Sequence, residues 1–169
     1  MKVKRMAVAV VAAAVVGLGA YFALPLLLTP ERAPTVSYTL LNANAPTTAQ
    51  WQGKVTLVNF WATSCVTCVK EMPELVATHQ KFKARGFDTL AVAMAYDNPS
   101  YVQRFTEQRQ LPFAVTIDSQ GELARQFGDV QLTPTTVLIN KRGEIVKRYV
   151  GEPDFQALHA LLEKLLSES

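Results

Sequence analysis

Cysteine and histidine are scarce in this chain, with two of each among 169 residues. A zinc site needs several Cys, His or carboxylate ligands at close spacing. His79 and His159 are far apart in sequence, so each reads as a helix-surface or core-edge histidine and no metal site is expected. Covalent haem attachment requires His directly after the second cysteine of a C-x-x-C pair, and Val69 stands there. An excess of one charge is also missing. Three of the 17 Lys and Arg are Lys2, Lys4 and Arg5, which leaves 14 to balance the 14 Asp and Glu from Thr29 onward. Without a basic surplus in the folded part, nucleic-acid binding has little footing. Internal repeats and low-complexity tracts are absent from the sequence as well.

Apolar residues are plentiful, at 49% of the chain, enough for one cored domain with an appendage. The appendage is N-terminal. Met6 to Leu28 is 23 residues without a charge, and at about 1.5 Å per residue such a helix spans a hydrocarbon core of roughly 30 Å. The positive charges before it stay on the cytoplasmic side and send the rest of the chain across. The expected division is a basic tip and transmembrane signal anchor over 1–28, a proline-stiffened linker over 29–35 and a domain over 36–169. A cleaved signal peptide is the rival, since Ala20 and Ala23 mimic a cleavage site, although its apolar region normally runs only about 7–15 residues.

Within the domain, Val36 to Leu41 reads as a first strand and Asn42 to Gln50 as a loop. Val55 to Trp61 is an apolar, β-prone run, as in a central strand buried on both faces. A helix follows from about Cys65 to Arg85, with Val69, Met72, Leu75, Val76, His79 and Phe82 on one face. Pro73 should kink it, and Gly86 should end it. Phe87 to Ala95 is the next strand, then a helix over Ser100 to Gln110, a strand over Val115 to Ile117 and a short helix over Glu122 to Phe127. Thr135 to Asn140 and Ile145 to Val150 read as a hairpin around Lys141-Arg142-Gly143-Glu144. Phe155, Leu158, Leu161, Leu162 and Leu165 mark a C-terminal helix. The fold class is α/β, a central mixed β-sheet flanked by helices.

Cys65 and Cys68 are three residues apart. A structural staple over so short a loop adds little stability, so a redox pair is the better reading. Placement sharpens it. A strand ends at Trp61, a turn follows, and Cys65 opens a helix whose unpaired N–H groups and dipole favour a thiolate. Cys68, one turn on, is placed to attack a mixed disulfide formed at Cys65.

The segment Val58-Asn59-Phe60-Trp61-Ala62-Thr63-Ser64-Cys65-Val66-Thr67-Cys68-Val69-Lys70-Glu71-Met72-Pro73 resembles the active-site stretch of thioredoxin-like proteins of the TlpA and ResA kind. Thr133-Pro134-Thr135-Thr136 resembles the second landmark of that fold, where a cis proline faces the cysteine pair. The resemblance covers about Val36 to the C-terminus and implies a thioredoxin-like fold. It makes Cys65 the exposed nucleophile and Cys68 the buried resolving thiol, joined as a redox-active disulfide. Trp61, Thr133 and Pro134 become substrate contacts, and Glu71 a residue that affects thiol protonation and exchange. Asn59 stands where thioredoxins carry a buried acid. Ser64 and Thr67 depart from the family's frequent Trp and Pro; a Thr67 N–H at the helix start would favour the Cys65 thiolate and raise the potential.

The activity so implied is an extracytoplasmic reductase of protein disulfides that needs no metal or organic cofactor. The resemblance also implies a place at the bacterial inner membrane, facing the periplasm or cell exterior. Its electron donor would be a membrane thiol transporter, and its clients would include apocytochromes c and copper-site assembly proteins. Two alternatives stay open: an oxidase that introduces disulfides, and a dithiol module that binds a metal or client without turnover. A peroxiredoxin is excluded because Val58 and Ala62 occupy the positions of its proline and its Thr or Ser. Copper carriers of the Sco type separate their cysteines by three residues rather than two.

Overall fold

Seven consecutive residues with no exposed side chain form β1 (Val55–Trp61), the middle strand of the molecule. Successive side chains of a strand point to opposite faces. Val55, Leu57 and Trp61 therefore enter one apolar cluster, and Val58 and Phe60 the other. The computed structural model describes residues 30–168; the expected anchor at 6–28 lies outside them. Among the described residues, no helix is long and apolar enough to cross a membrane.

After β1 the order is α1 (Val66–Phe82), β2 (Phe87–Ala93), α2 (Pro99–Gln108), β3 (Ala114–Ile117), α3 (Glu122–Gln126), β4 (Thr135–Ile139), β5 (Ile145–Val150) and α4 (Phe155–Ser167). The five strands lie in the order β3-β2-β1-β4-β5. β1, β2 and β3 are parallel to one another, while β4 runs antiparallel to both β1 and β5. This is the mixed α/β sheet expected from the sequence. On one face Met72, Leu75 and Phe82 of α1 and Leu158, Leu162 and Leu165 of α4 cover the sheet; on the other lie Trp51, Leu123 and Phe127.

Local chemistry explains the boundaries. Asn98 caps α2 by accepting from the Ser100 N–H, and Asp154 caps α4 by accepting from the Ala157 N–H. Gly86 ends the first helical stretch in the left-handed region, at φ 91°. Pro73 lies inside α1, which runs unbroken from Val66 to Phe82. The β4–β5 turn closes as expected, with Gly143 at φ 77° and the Asn140 side-chain oxygen accepting from the N–H groups of Arg142 and Glu144.

One expectation needs correction. Val36 to Leu41 is not a strand: Ser37 bridges Thr47, whereas Leu40 bridges Thr116. Its apolar spacing is strand-like, but it divides its pairing between two segments and forms no continuous ladder. The loop after it ends in a 3-10 turn over Thr48–Trp51. The compact unit begins at Glu31. The Ile145 N–H donates to the Glu31 carbonyl, the Ala33 N–H donates to the Gly143 carbonyl, and Arg148 pairs with Glu31 at 3.0 Å. An extended, proline-bearing segment offers backbone groups along its edge, and the hairpin takes them up.

Leu158 is fully buried between α4 and the sheet. Leu158→Ala should lower the stability of the oxidised protein by about 2–5 kcal/mol in urea denaturation. Lys54→Ala breaks an exposed pair with Asp88 and should cost less than about 1 kcal/mol.

Candidate active site

β1 delivers the chain to the end of the sheet at Trp61, and a four-residue turn carries it into α1. The turn closes with the Cys65 N–H donating to the Ala62 carbonyl at 3.1 Å, with Thr63 and Ser64 at its centre. Cys65 is the N-cap of α1 in an extended conformation, and its Sγ accepts from the Cys68 N–H at 3.1 Å. The structure holds Cys65 and Cys68 as a disulfide. Cys65 is half-buried, whereas Cys68 is wholly buried. An attacking group from outside meets Cys65 first, and the helix terminus stabilises negative charge on that sulfur.

The register of β1 with β4 sets Phe60 opposite Thr135. Pro134, one residue before, therefore lies at the level of Trp61, where the active-site turn begins. The Thr133–Pro134 bond is cis. Pro134 is buried and its carbonyl accepts from the Gly151 N–H, while Thr133 is half-buried and its hydroxyl meets that of Tyr96 at 3.1 Å. Trp61, expected as a substrate contact, is wholly buried and its ring packs on Phe105 at 5.1 Å between centroids.

Beneath the disulfide lies a polar cluster in the apolar core. Asn59 projects to the same face as Val55 and Leu57, and its amide donates to Glu71 Oε1 at 2.9 Å and to Thr136 Oγ1 at 3.0 Å. All three residues are wholly buried. Glu71 follows Cys68 by three positions, so both lie on one face of α1. Its second oxygen, Oε2, has no hydrogen-bond partner, nor has Asn59 Oδ1. Burial pushes the Glu71 carboxyl up to about 7; the Asn59 hydrogen bond pulls it down and Glu152 adds a smaller upward push. It can therefore take up or release a proton close to neutrality.

Sequence reasoning missed Asp97, which is buried at 7% exposure. Its Oδ2 accepts from the Thr63 N–H at 2.6 Å, and its Oδ1 accepts from the Thr63 hydroxyl at 2.6 Å and the Asn98 N–H at 2.8 Å. Asp97-Asn98-Pro99 carries a helix-start signal, and nothing local ties it to a turn 34 residues earlier. Tyr96 was missed for the same reason. His79 is 5% exposed and bonds Thr89 Oγ1 at 3.1 Å, a core-edge histidine whose burial lowers its pKa. Among the described residues no cluster of three or more His, Cys, Asp or Glu could hold a metal. A cavity of about 360 Å³ opens beside the turn between Thr63, Ser64, Tyr101 and Arg104.

Comparison with known proteins gives the same picture. The Redoxin family model matches residues 29–162. The thiol-disulfide oxidoreductase ResA of Bacillus thuringiensis subsp. konkukian is 33% identical over 135 residues, covering 80% of this chain and 77% of that protein. The solution structure of a Neisseria meningitidis protein assigned as a thioredoxin superimposes with a TM-score of 0.77 at 40% identity, over 83% of this chain and 93% of that one. A Chlorobium tepidum protein assigned as the thiol:disulfide interchange protein DsbE gives 0.75 at 27% identity, over 82% and 97%.

Glu71 should make stability depend on pH. An unfolded chain loses the proton near 4.5 and the folded one near 7, so between those values the folded state holds a proton that the unfolded state has released. Stability then falls as pH rises through the window and levels off above it, by about 3 kcal/mol in all. Urea denaturation of the oxidised protein at pH 5 and pH 8 should show this loss, and Glu71→Gln should remove most of it.

Proposed function

The chain belongs to the Redoxin family and, within it, to the ResA thiol–disulfide oxidoreductases, and we propose that it works as an extracytoplasmic reductase of client protein disulfides. The observation that carries this reading is the Cys65–Cys68 pair, with a half-buried sulfur at a helix N-terminus and a wholly buried one a turn behind it.

In the reduced protein the Cys65 thiolate attacks one sulfur of a client disulfide. The client S–S bond breaks, a Cys65–client S–S bond forms, and the client's other sulfur leaves as a thiolate and takes a proton. Cys68 then gives up its proton and attacks Cys65 Sγ. The mixed disulfide breaks, the Cys65–Cys68 bond forms, and the client departs with its second thiol. Two electrons have passed to the client. Glu71, on the Cys68 side of α1 and titrating near neutrality, is the group assigned to exchange the Cys68 proton. An extended client segment lies along Thr133 and Pro134, with Tyr96 beside it.

Residues 1–28 serve as the anchor in this reading, supported by the 23 uncharged residues behind Lys2, Lys4 and Arg5. That puts the domain on the outer side of a bacterial inner membrane, where disulfides persist. A membrane thiol transporter is the assigned donor, with apocytochromes c or copper-site assembly proteins as clients.

Cys68→Ala should accumulate a client adduct through Cys65 in an insulin assay, seen on non-reducing gels, and Cys65→Ala should give neither adduct nor turnover. Tight metal binding without an adduct would instead make the pair a carrier. Titration against glutathione buffers should place the couple on the reducing side of glutathione; a value well above it would make the chain an oxidase. After alkaline carbonate extraction the full chain should stay with membranes, and a chain starting at Glu31 should not.

A further inference from the structure

The deepest contact with the active-site turn comes from outside the Cys65–Cys68 segment. Asp97, 7% exposed, accepts three hydrogen bonds of 2.6, 2.6 and 2.8 Å, two of them from Thr63. An ionised carboxylate is an acceptor only, and here three donors converge on its two oxygens. An asparagine would set its NH2 against the Thr63 N–H or the Asn98 N–H, leaving two donors face to face. The site is therefore matched to a side chain that only accepts.

That charge sits directly behind the turn that presents Cys65. Thr63 is two residues before Cys65, and the Ala62–Cys65 hydrogen bond keeps the turn tight, so the carboxylate and the sulfur are held by the same turn. At an effective dielectric of about 20–30, a unit charge on the order of 10 Å away shifts a thiolate equilibrium by about tenfold. The helix N-terminus acts the other way. We propose that Asp97 is a positioning residue that fixes the Thr63–Ser64 turn and whose charge opposes ionisation of Cys65, making the reduced pair less acidic and more strongly reducing. This deepens the reductase reading and rests on it.

Other titratable and charged groups lie on the surrounding segments: Lys70 paired with Glu152, Glu71, Tyr96, Tyr101, Asp154, and Arg104, which lines a cavity with Thr63 and Ser64. All of them are unchanged in the variants that test the proposal. Thr63→Val removes one hydrogen bond and keeps the Asp97 charge. Asp97→Asn removes the charge and keeps the volume but sets a donor against one N–H. The charge role therefore also requires the same shift in Asp97→Ser, which is neutral and whose hydroxyl can accept.

The measurement is the pH profile of iodoacetamide alkylation of Cys65 in the reduced full-length protein, because only the thiolate reacts. Asp97→Asn should lower the Cys65 midpoint by about one pH unit, a tenfold rise in the thiolate ratio, and Thr63→Val should move it little. Equilibration with glutathione should shift in parallel. In that exchange the dithiol gives two electrons and two protons to glutathione disulfide, one S–S bond forming in the protein as the other breaks into two thiols. Asp97→Asn should leave a larger fraction of dithiol at the same buffer ratio, most clearly above the Cys65 midpoint.

Equal midpoints in wild type and Asp97→Asn overturn the charge role, as does an equal shift in Thr63→Val, which makes the clamp merely structural. A wild-type pair that does not exchange with glutathione at all overturns the reductase reading and this proposal with it. If circular dichroism shows that Asp97→Asn has lost its fold, Asp97→Ser, neutral with one oxygen acceptor, is read by the same criteria.

Discussion

β1 has no exposed side chain, and the rest of the molecule is arranged around that constraint. A strand covered on both faces must have a strand on each side and a layer above and below, which the β3-β2-β1-β4-β5 order and the two apolar clusters supply. Complete cover also fixes register, because a one-residue slip would exchange the two faces. Register in turn sets Phe60 against Thr135 and brings the Thr133–Pro134 segment to the level where β1 becomes the active-site turn. The neighbourhood of the cysteine pair is thus a consequence of how the middle strand is buried.

The same constraint explains the polar cluster. Asn59 sits in the middle of β1, and a buried amide without partners costs about 1–3 kcal/mol. Glu71 and Thr136 answer its amide hydrogens, but Asn59 Oδ1 and Glu71 Oε2 stay unmatched. Such a cluster contributes little to stability. Its value is chemical, since it holds a carboxyl titrating near 7 inside the core, one helical turn from Cys68.

Much of this was legible in the residues themselves. The run Val55 to Trp61 and the Ile145 to Val150 strand were bounded correctly, because buried strands and Gly-centred hairpins leave strong local patterns. Cys65 and Cys68 were legible from their place between a strand and a helix, and Thr133-Pro134 from a motif at a distance. Three features were not. Val36 to Leu41 has the spacing of a strand, but its hydrogen-bond partners come from two different segments. Trp61 is a site residue by resemblance alone, and its full burial depends on both layers that cover β1. Asp97 reads as part of a helix start, and its bonds to Thr63 depend on β1 and β2 lying side by side. Local signals place elements; they do not say which element ends will meet.

The docking of Glu31 to Ala33 has a mechanical side. These residues hydrogen-bond to the turn and first residues of the β4–β5 hairpin, near the end where β1 begins, whereas the disulfide follows the end where β1 stops. Seven strand residues, about 23 Å, separate the two. A pull on the N-terminal segment is borne first by a few backbone hydrogen bonds and the Arg148–Glu31 pair. Those bonds attach to the edge strand β5 and to the β4–β5 turn, away from the turn at Cys65. The domain has a handle at one end and a working tip at the other, with the fully covered middle strand β1 between them.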